Sequence, residues 1–133
     1  MKLKNKVFTE VDFVTGLEQL KRCKSKKIEM KTRMSVIRLI KELTGAMQEY
    51  EEVRQNTLES LGELVTEEID GKNTSRYEFG NNLPEWNKQF KELINAEFEI
   101  DYNPVPYHDD FGLDLGQQAA MMDLFTEPKK KRK

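Results

Sequence analysis

The stretch from Ile28 to Val65, IEMKTRMSVIRLIKELTGAMQEYEEVRQNTLESLGELV, decides how this chain is read. Ile40, Leu43, Met47, Tyr50, Leu61 and Leu64 recur largely at spacings of three and four, with Val53 and Leu58 between them. That rhythm stacks apolar groups on one stripe of a helix. Lys41, Glu42, Gln48, Glu49, Glu51, Glu52, Arg54 and Gln55 fall between and suit a solvated face. No proline interrupts the run, and its two glycines, Gly45 and Gly62, each cost roughly 1 kcal/mol against Ala. One helix over these ~38 residues would be about 57 Å long. A 133-residue globule cannot cover such a stripe. The pattern therefore predicts a mainly α fold: a long, coiled-coil-like helical hairpin, or a helix that packs on a partner.

Charge is segregated along the chain. Residues 1–44 carry twelve Lys/Arg against five Asp/Glu, residues 45–127 carry five against nineteen, and the last five residues are all basic. The head is basic, the body acidic, the tip basic again. Charged residues make up 35% and hydrophobic residues 37%, a balance that suits a helical interaction protein better than a typical enzyme. A single cysteine, Cys23, excludes an internal disulfide framework and a thiolate metal cluster. MKLKNKVFTE lacks the apolar run of a signal peptide. No window approaches the roughly 18 apolar residues of a membrane span. A cytoplasmic location without membrane contact is the expectation.

Working outward, Leu3, Asn5 and Val7 allow a short strand, and Thr9 is placed to cap a helix whose apolar face is Val11, Val14, Leu17 and Leu20. Lys21, Arg22, Lys24, Lys26, Lys27, Lys31 and Arg33 then put seven cations within thirteen residues. They are a solvated connector or a weak nucleic-acid contact, although single-strand stacking would need aromatic residues among them. Asp70-Gly71-Lys72-Asn73 is a turn signal, Asn73-Thr74-Ser75 fits a glycosylation sequon with no secretory context, and Arg76 to Phe79 forms a short strand. Pro84 opens a further helix with Trp86, Phe90, Leu93 and Ile94 on its buried face. Phe98, Ile100 and Tyr102 alternate with acids as a half-buried strand. The expected sheet has two to three strands. Pro104 and Pro106 end the folded domain, residues 1–105. Residues 106–133, rich in Gly, Asp and Gln, are expected to form a disordered tail.

The order of these pieces carries a resemblance. An MKLKN start, a short helix, a basic stretch and a long charged helix precede Tyr77-Glu78-Phe79. WNKQFKELIN at 86–95 and EFEID at 97–101 follow. Residues 1–105 in this order resemble a family of small, functionally uncharacterised proteins of tailed bacteriophages of Gram-positive bacteria. The resemblance implies a helical hairpin with a small sheet in a viral setting, hence the cytoplasm of a bacterial host, and carries over no catalytic residue.

Catalysis has little to work with. His108 is the single histidine, Asp109 and Asp110 beside it read as solvated charge, and the seven glycines form no phosphate loop. No cofactor, metal or catalytic residue is assigned.

The end of the chain says more. Gln118, Met121, Met122, Asp123, Leu124 and Phe125 form an apolar island in polar surroundings. Met121 to Phe125 resembles the short motif by which bacterial polymerases and repair proteins hold the sliding clamp, with Leu124 and Phe125 as anchors. Met121 departs from the preferred glutamine; read instead from Gln118, the stretch is similar to the archaeal and eukaryotic clamp box, with Leu124 where an aromatic is usual. The alternative is a terminal amphipathic turn that docks on the chain's own helical hairpin. Pro128 to Lys133 resembles a nuclear localisation signal; Lys129, Lys130, Lys131, Arg132 and Lys133 are an import signal, an appended tag or a basic tip for DNA.

Together these observations predict a non-enzymatic phage interaction module recruited by its tail to a DNA sliding clamp. The alternatives are a virion assembly protein that forms a homo-oligomer through Ile40, Leu43, Met47, Tyr50, Leu61 and Leu64, a nucleic-acid binder through Lys24, Lys26 and Lys27, and an inhibitor of a host system.

Overall fold

A computed structural model describes residues 1–126. In chain order the elements are β1 (Lys2–Lys4), α1 (Val11–Arg22), α2 (Met30–Leu61), β2 (Glu63–Ile69), β3 (Lys72–Glu78), α3 (Leu83–Asn95), β4 (Glu97–Glu99), β5 (Val105–Pro106), α4 (Leu115–Ala120) and β6 (Phe125–Thr126). The protein is mainly helical and α2, at 32 residues, is its spine. No second long helix folds back on it among the described residues: α1 has 12 residues, α3 has 13 and α4 has six. The long helical hairpin is thus replaced by one long helix with two shorter ones packed around it.

The expected helix is also cut at both ends. Ile28 lies before α2 in a loop, buried to 4% exposure. At the other end the Gly62 N–H closes the last turn on Leu58 O at 2.8 Å, and the backbone leaves in an extended conformation. Leu64 and Val65 belong to β2, which pairs antiparallel with β3 from Glu63↔Glu78 to Ile69↔Lys72. Asp70 and Gly71, both at positive φ, make the two-residue connection. Asp-Gly is the pair that such a turn favours, because its twist matches that of the flanking strands. A β-hairpin stands where the period of three and four suggested continued helix.

The small sheets are three separate two-stranded pairs rather than one. β1 pairs antiparallel with β4 through Leu3↔Phe98, which ties the start of the chain to the end of α3. β5 runs parallel to β6, with Val105 opposite Phe125, and the Tyr107 N–H extends the pairing to Thr126 O at 2.9 Å. Thr9 caps no helix: its hydroxyl donates to Lys6 O at 2.6 Å, and Glu10 stands at the start of α1. On α1 the buried residues are Phe13, Gly16, Leu17 and Leu20, while Val11 is 75% exposed.

The core joins α1, α2 and the last third of the described chain. Phe13, Leu17, Leu39 and Leu43 meet Ile100, Phe111, Met121 and Leu124, each of them 2% exposed or less. Residues 106–126, expected to be a disordered tail, are folded onto α1 and α2. The domain therefore does not stop at residue 105. Gly16 makes this docking possible. A Cβ there would lie 2.5 Å from the Met121 sulfur and 3.4 Å from Gln117 Cβ, so any larger residue would have to displace the Met121 thioether. Asp114 begins α4 with a capping box: its carboxylate accepts the Gln117 N–H at 2.7 Å, and the Gln117 side-chain Oε1 accepts the Asp114 N–H at 3.0 Å. Further polar contacts hold the segment down: the Gln19 amide donates to Phe111 O, and the Ser25 hydroxyl to the Asp110 carboxylate.

α3 is half-buried. Proline sits in its first turn, and Trp86 stacks between Phe79 and Phe90 at centroid distances of 4.9 and 5.3 Å. The Asn82 amide donates to Leu61 O at 3.0 Å, fastening this corner to the end of α2.

Candidate functional site

Of the residues singled out in the end segment, Met121 and Leu124 are each 1% exposed. Gln118 donates to Leu113 O at 2.9 Å, and Phe125 packs on Phe111 and Tyr107 at centroid distances of 5.3 and 5.9 Å. Met122 and Asp123 remain exposed. The island is core in this conformation. A partner could take hold of Leu124 only after the segment had left α1. Lys129 to Lys133 lie outside the described residues.

The expected helix interface also faces inward. Leu43 and Tyr50 are buried, and Ile40 and Met47 pack half-buried against the core. Leu61 is half-buried, and Leu64 is 60% exposed on the hairpin rather than on the helix. The stripe taken for an oligomer surface is the chain's own core seam.

The exposed apolar surface lies on another face of the same helix. Met30, Met34 and Ile37, spaced by four and three along α2, are 62, 51 and 52% exposed. They wall a groove of about 330 Å³ between α2, the end of α1 and the loop that joins them. Buried Leu20, Ile28, Val36 and Phe111 lie beneath, so the end segment supplies part of the floor. Lys21, Lys24 and Arg33 form the rim. Lys21 is paired with Glu18 at 3.3 Å, whereas Lys24 and Arg33 make no ion pair among the described residues. Lys24, Lys26 and Lys27 are exposed along the connecting loop. α2 starts here at Glu29, with no side-chain cap hydrogen bond and no acidic residue in the turn that follows.

An apolar floor, adaptable methionine walls and a cationic rim suit an acidic segment with apolar anchors. They place no nucleophile beside a base. The Cys23 thiol, on the groove wall, donates to Asp110 O at 3.1 Å. His108 uses Nδ1 to accept the Asp110 N–H at 3.0 Å, which shapes a turn. No cluster of three potential metal ligands occurs among the described residues. No described helix is long and apolar enough to cross a membrane.

The second exposed feature is the β2–β3 arm. Residues 63–78 include no buried side chain, and Leu64 and Ile69 are 60 and 52% exposed. Arg76 clasps Glu67 at 3.0 Å and Glu78 at 2.8 Å, which holds the Glu67 carboxyl below the usual carboxylate range and raises the guanidinium above its own.

Sequence reasoning missed the groove, although the spacing of Met30, Met34 and Ile37 was visible as a second apolar stripe. Comparison with family models, curated proteins and solved structures returns no match for this chain.

Proposed function

We propose that this chain is a non-enzymatic protein–protein interaction module whose docking site is the groove walled by Met30, Met34 and Ile37. The observation that carries the reading is an exposed apolar stripe directly beside Lys24 and Arg33, which make no ion pair among the described residues. Its ligand class is an acidic segment bearing apolar side chains. The test is fluorescence anisotropy of a labelled acidic amphipathic peptide titrated with the full chain. Saturable binding should be lost in the Met34→Glu, Ile37→Glu variant and should weaken with added salt. Undiminished binding by that variant, or no binding by the wild type, contradicts the reading.

Recruitment to a sliding clamp by residues 118–125 is the competing proposal, in the phage setting that the resemblance of residues 1–105 suggests. It requires Met121, Leu124 and Phe125 to leave the core, where Phe125 packs on Phe111 of the groove floor. A peptide of residues 114–133 that binds a bacterial clamp, with equal binding by the full chain, would favour the clamp. Binding by the peptide alone would mean that the folded chain withholds the motif.

A further inference from the structure

We infer that the occupant of the groove is the β2–β3 arm of a second copy of this chain, joined head to tail. The inference rests on the docking reading above and names its partner.

The arm is an unfinished element. An isolated two-stranded hairpin is at best marginally stable in water, and its open edges and apolar side chains invite a partner. Here neither face holds a buried side chain, and Ile69 stands at the tip, between Glu68 and Asp70. The base is tied to α2 by the Gln55 amide, which donates to the Tyr77 hydroxyl at 2.9 Å. From Glu63 to Glu78 there are five acidic residues against Lys72 and Arg76, and Arg76 is already engaged by two of the acids. The tip therefore presents an apolar side chain among carboxylates. The groove presents the complement: apolar walls among cations, beside a loop with seven basic residues and one acidic residue from Lys21 to Arg33.

Distance assigns the pair to different molecules. The arm leaves the C-terminal end of α2, and the groove lies along its N-terminal end, up to Ile40. From Leu61 back to Ile40 is about 32 Å along the helix, whereas seven strand residues reach only about 23 Å. A molecule cannot fill its own groove. Arm into groove is a heterologous contact, which repeats as an open chain or closes as a ring. A contact made by one hairpin tip is small, so the assembly should be weak, reversible and salt-sensitive.

Sedimentation velocity of the full chain, from low micromolar to near-millimolar concentration, tests this. At low salt the mean mass should rise with concentration beyond that of a dimer, and high salt should reverse it. Two fold-sparing surface variants sharpen the test: Lys24→Glu with Arg33→Glu in the groove rim, and Ile69→Lys with Glu68→Lys in the arm. Each should stay monomeric alone, with circular dichroism showing native helix, because each reversed rim charge should weaken the contact about fivefold. Mixed, they should form two-chain complexes, because the intact arm of the rim variant meets the intact groove of the arm variant. A wild type that stays monomeric throughout, or assembly that both variants leave intact, overturns the inference. If the wild type stays monomeric yet still binds the acidic peptide, self-docking fails and the docking groove stands; if it does neither, both fail.

Discussion

The end segment, Phe111 to Phe125, and the arm, Glu63 to Glu78, are nearly equal in length, yet one is built into the core and the other has no buried residue. Each carries several large apolar side chains. In the end segment two short helical turns gather Phe111, Leu113, Met121 and Leu124 onto one side, facing the gap that Gly16 leaves on α1. In the arm the strict alternation of a strand divides Leu64 from Val65 and Ile69, so neither face is continuously apolar and both carry glutamates. Burial follows from whether apolar groups can be brought to one side opposite a matching surface. Apolar content alone does not decide it.

The strongest way to break this contrast is Leu124→Ala. A side chain 1% exposed should cost about 2–5 kcal/mol when truncated, read as a lower urea midpoint. Unchanged stability would mean that the segment is not core. Gly16→Ala should come next, at about 1–3 kcal/mol, as the added methyl meets the Met121 sulfur.

A pH titration sharpens the same point from the buried side. Burial pushes the Tyr102 hydroxyl up from 10 to about 12. The unfolded chain then releases this proton first as pH rises. Stability should be constant below pH 10 with respect to this group and fall between pH 10 and 12, and Tyr102→Phe should flatten that fall. The smallest effect belongs to the arm. Ile69→Lys should change stability by no more than about 0.5 kcal/mol, because the side chain is 52% exposed, while it removes self-association. A large loss of stability there would mean that the arm is a packed element after all.

Much of the body was legible in local pattern. Leu17 and Leu20, the proline-led α3 and the pairing-prone strand around Phe98 follow from periodicity and caps, as does the middle of α2. Two features were not. At the end of α2, Leu61 and Leu64 continued a helical rhythm that competed with Val65, Thr66, Ile69 and the Asp-Gly turn, and the hairpin signal prevailed. In the end segment, Pro104 and Pro106 and a polar composition suggested release. What holds it is a contact across a hundred residues with Gly16, and no local window contains both partners. The groove is hidden for the same reason: its walls come from α2, but its floor is assembled from α1, a loop and Phe111.

The central claim is that the closed body includes the end segment while the arm stays open until a second copy covers it. Amide hydrogen exchange of the full chain at low and high protein concentration tests both halves together. The account predicts slow exchange for Leu124 and the residues around it at either concentration, with arm amides from Leu64 to Tyr77 slowing only in the concentrated sample. Exchange of the end segment at the rate of a free peptide, or an arm indifferent to concentration, would contradict it.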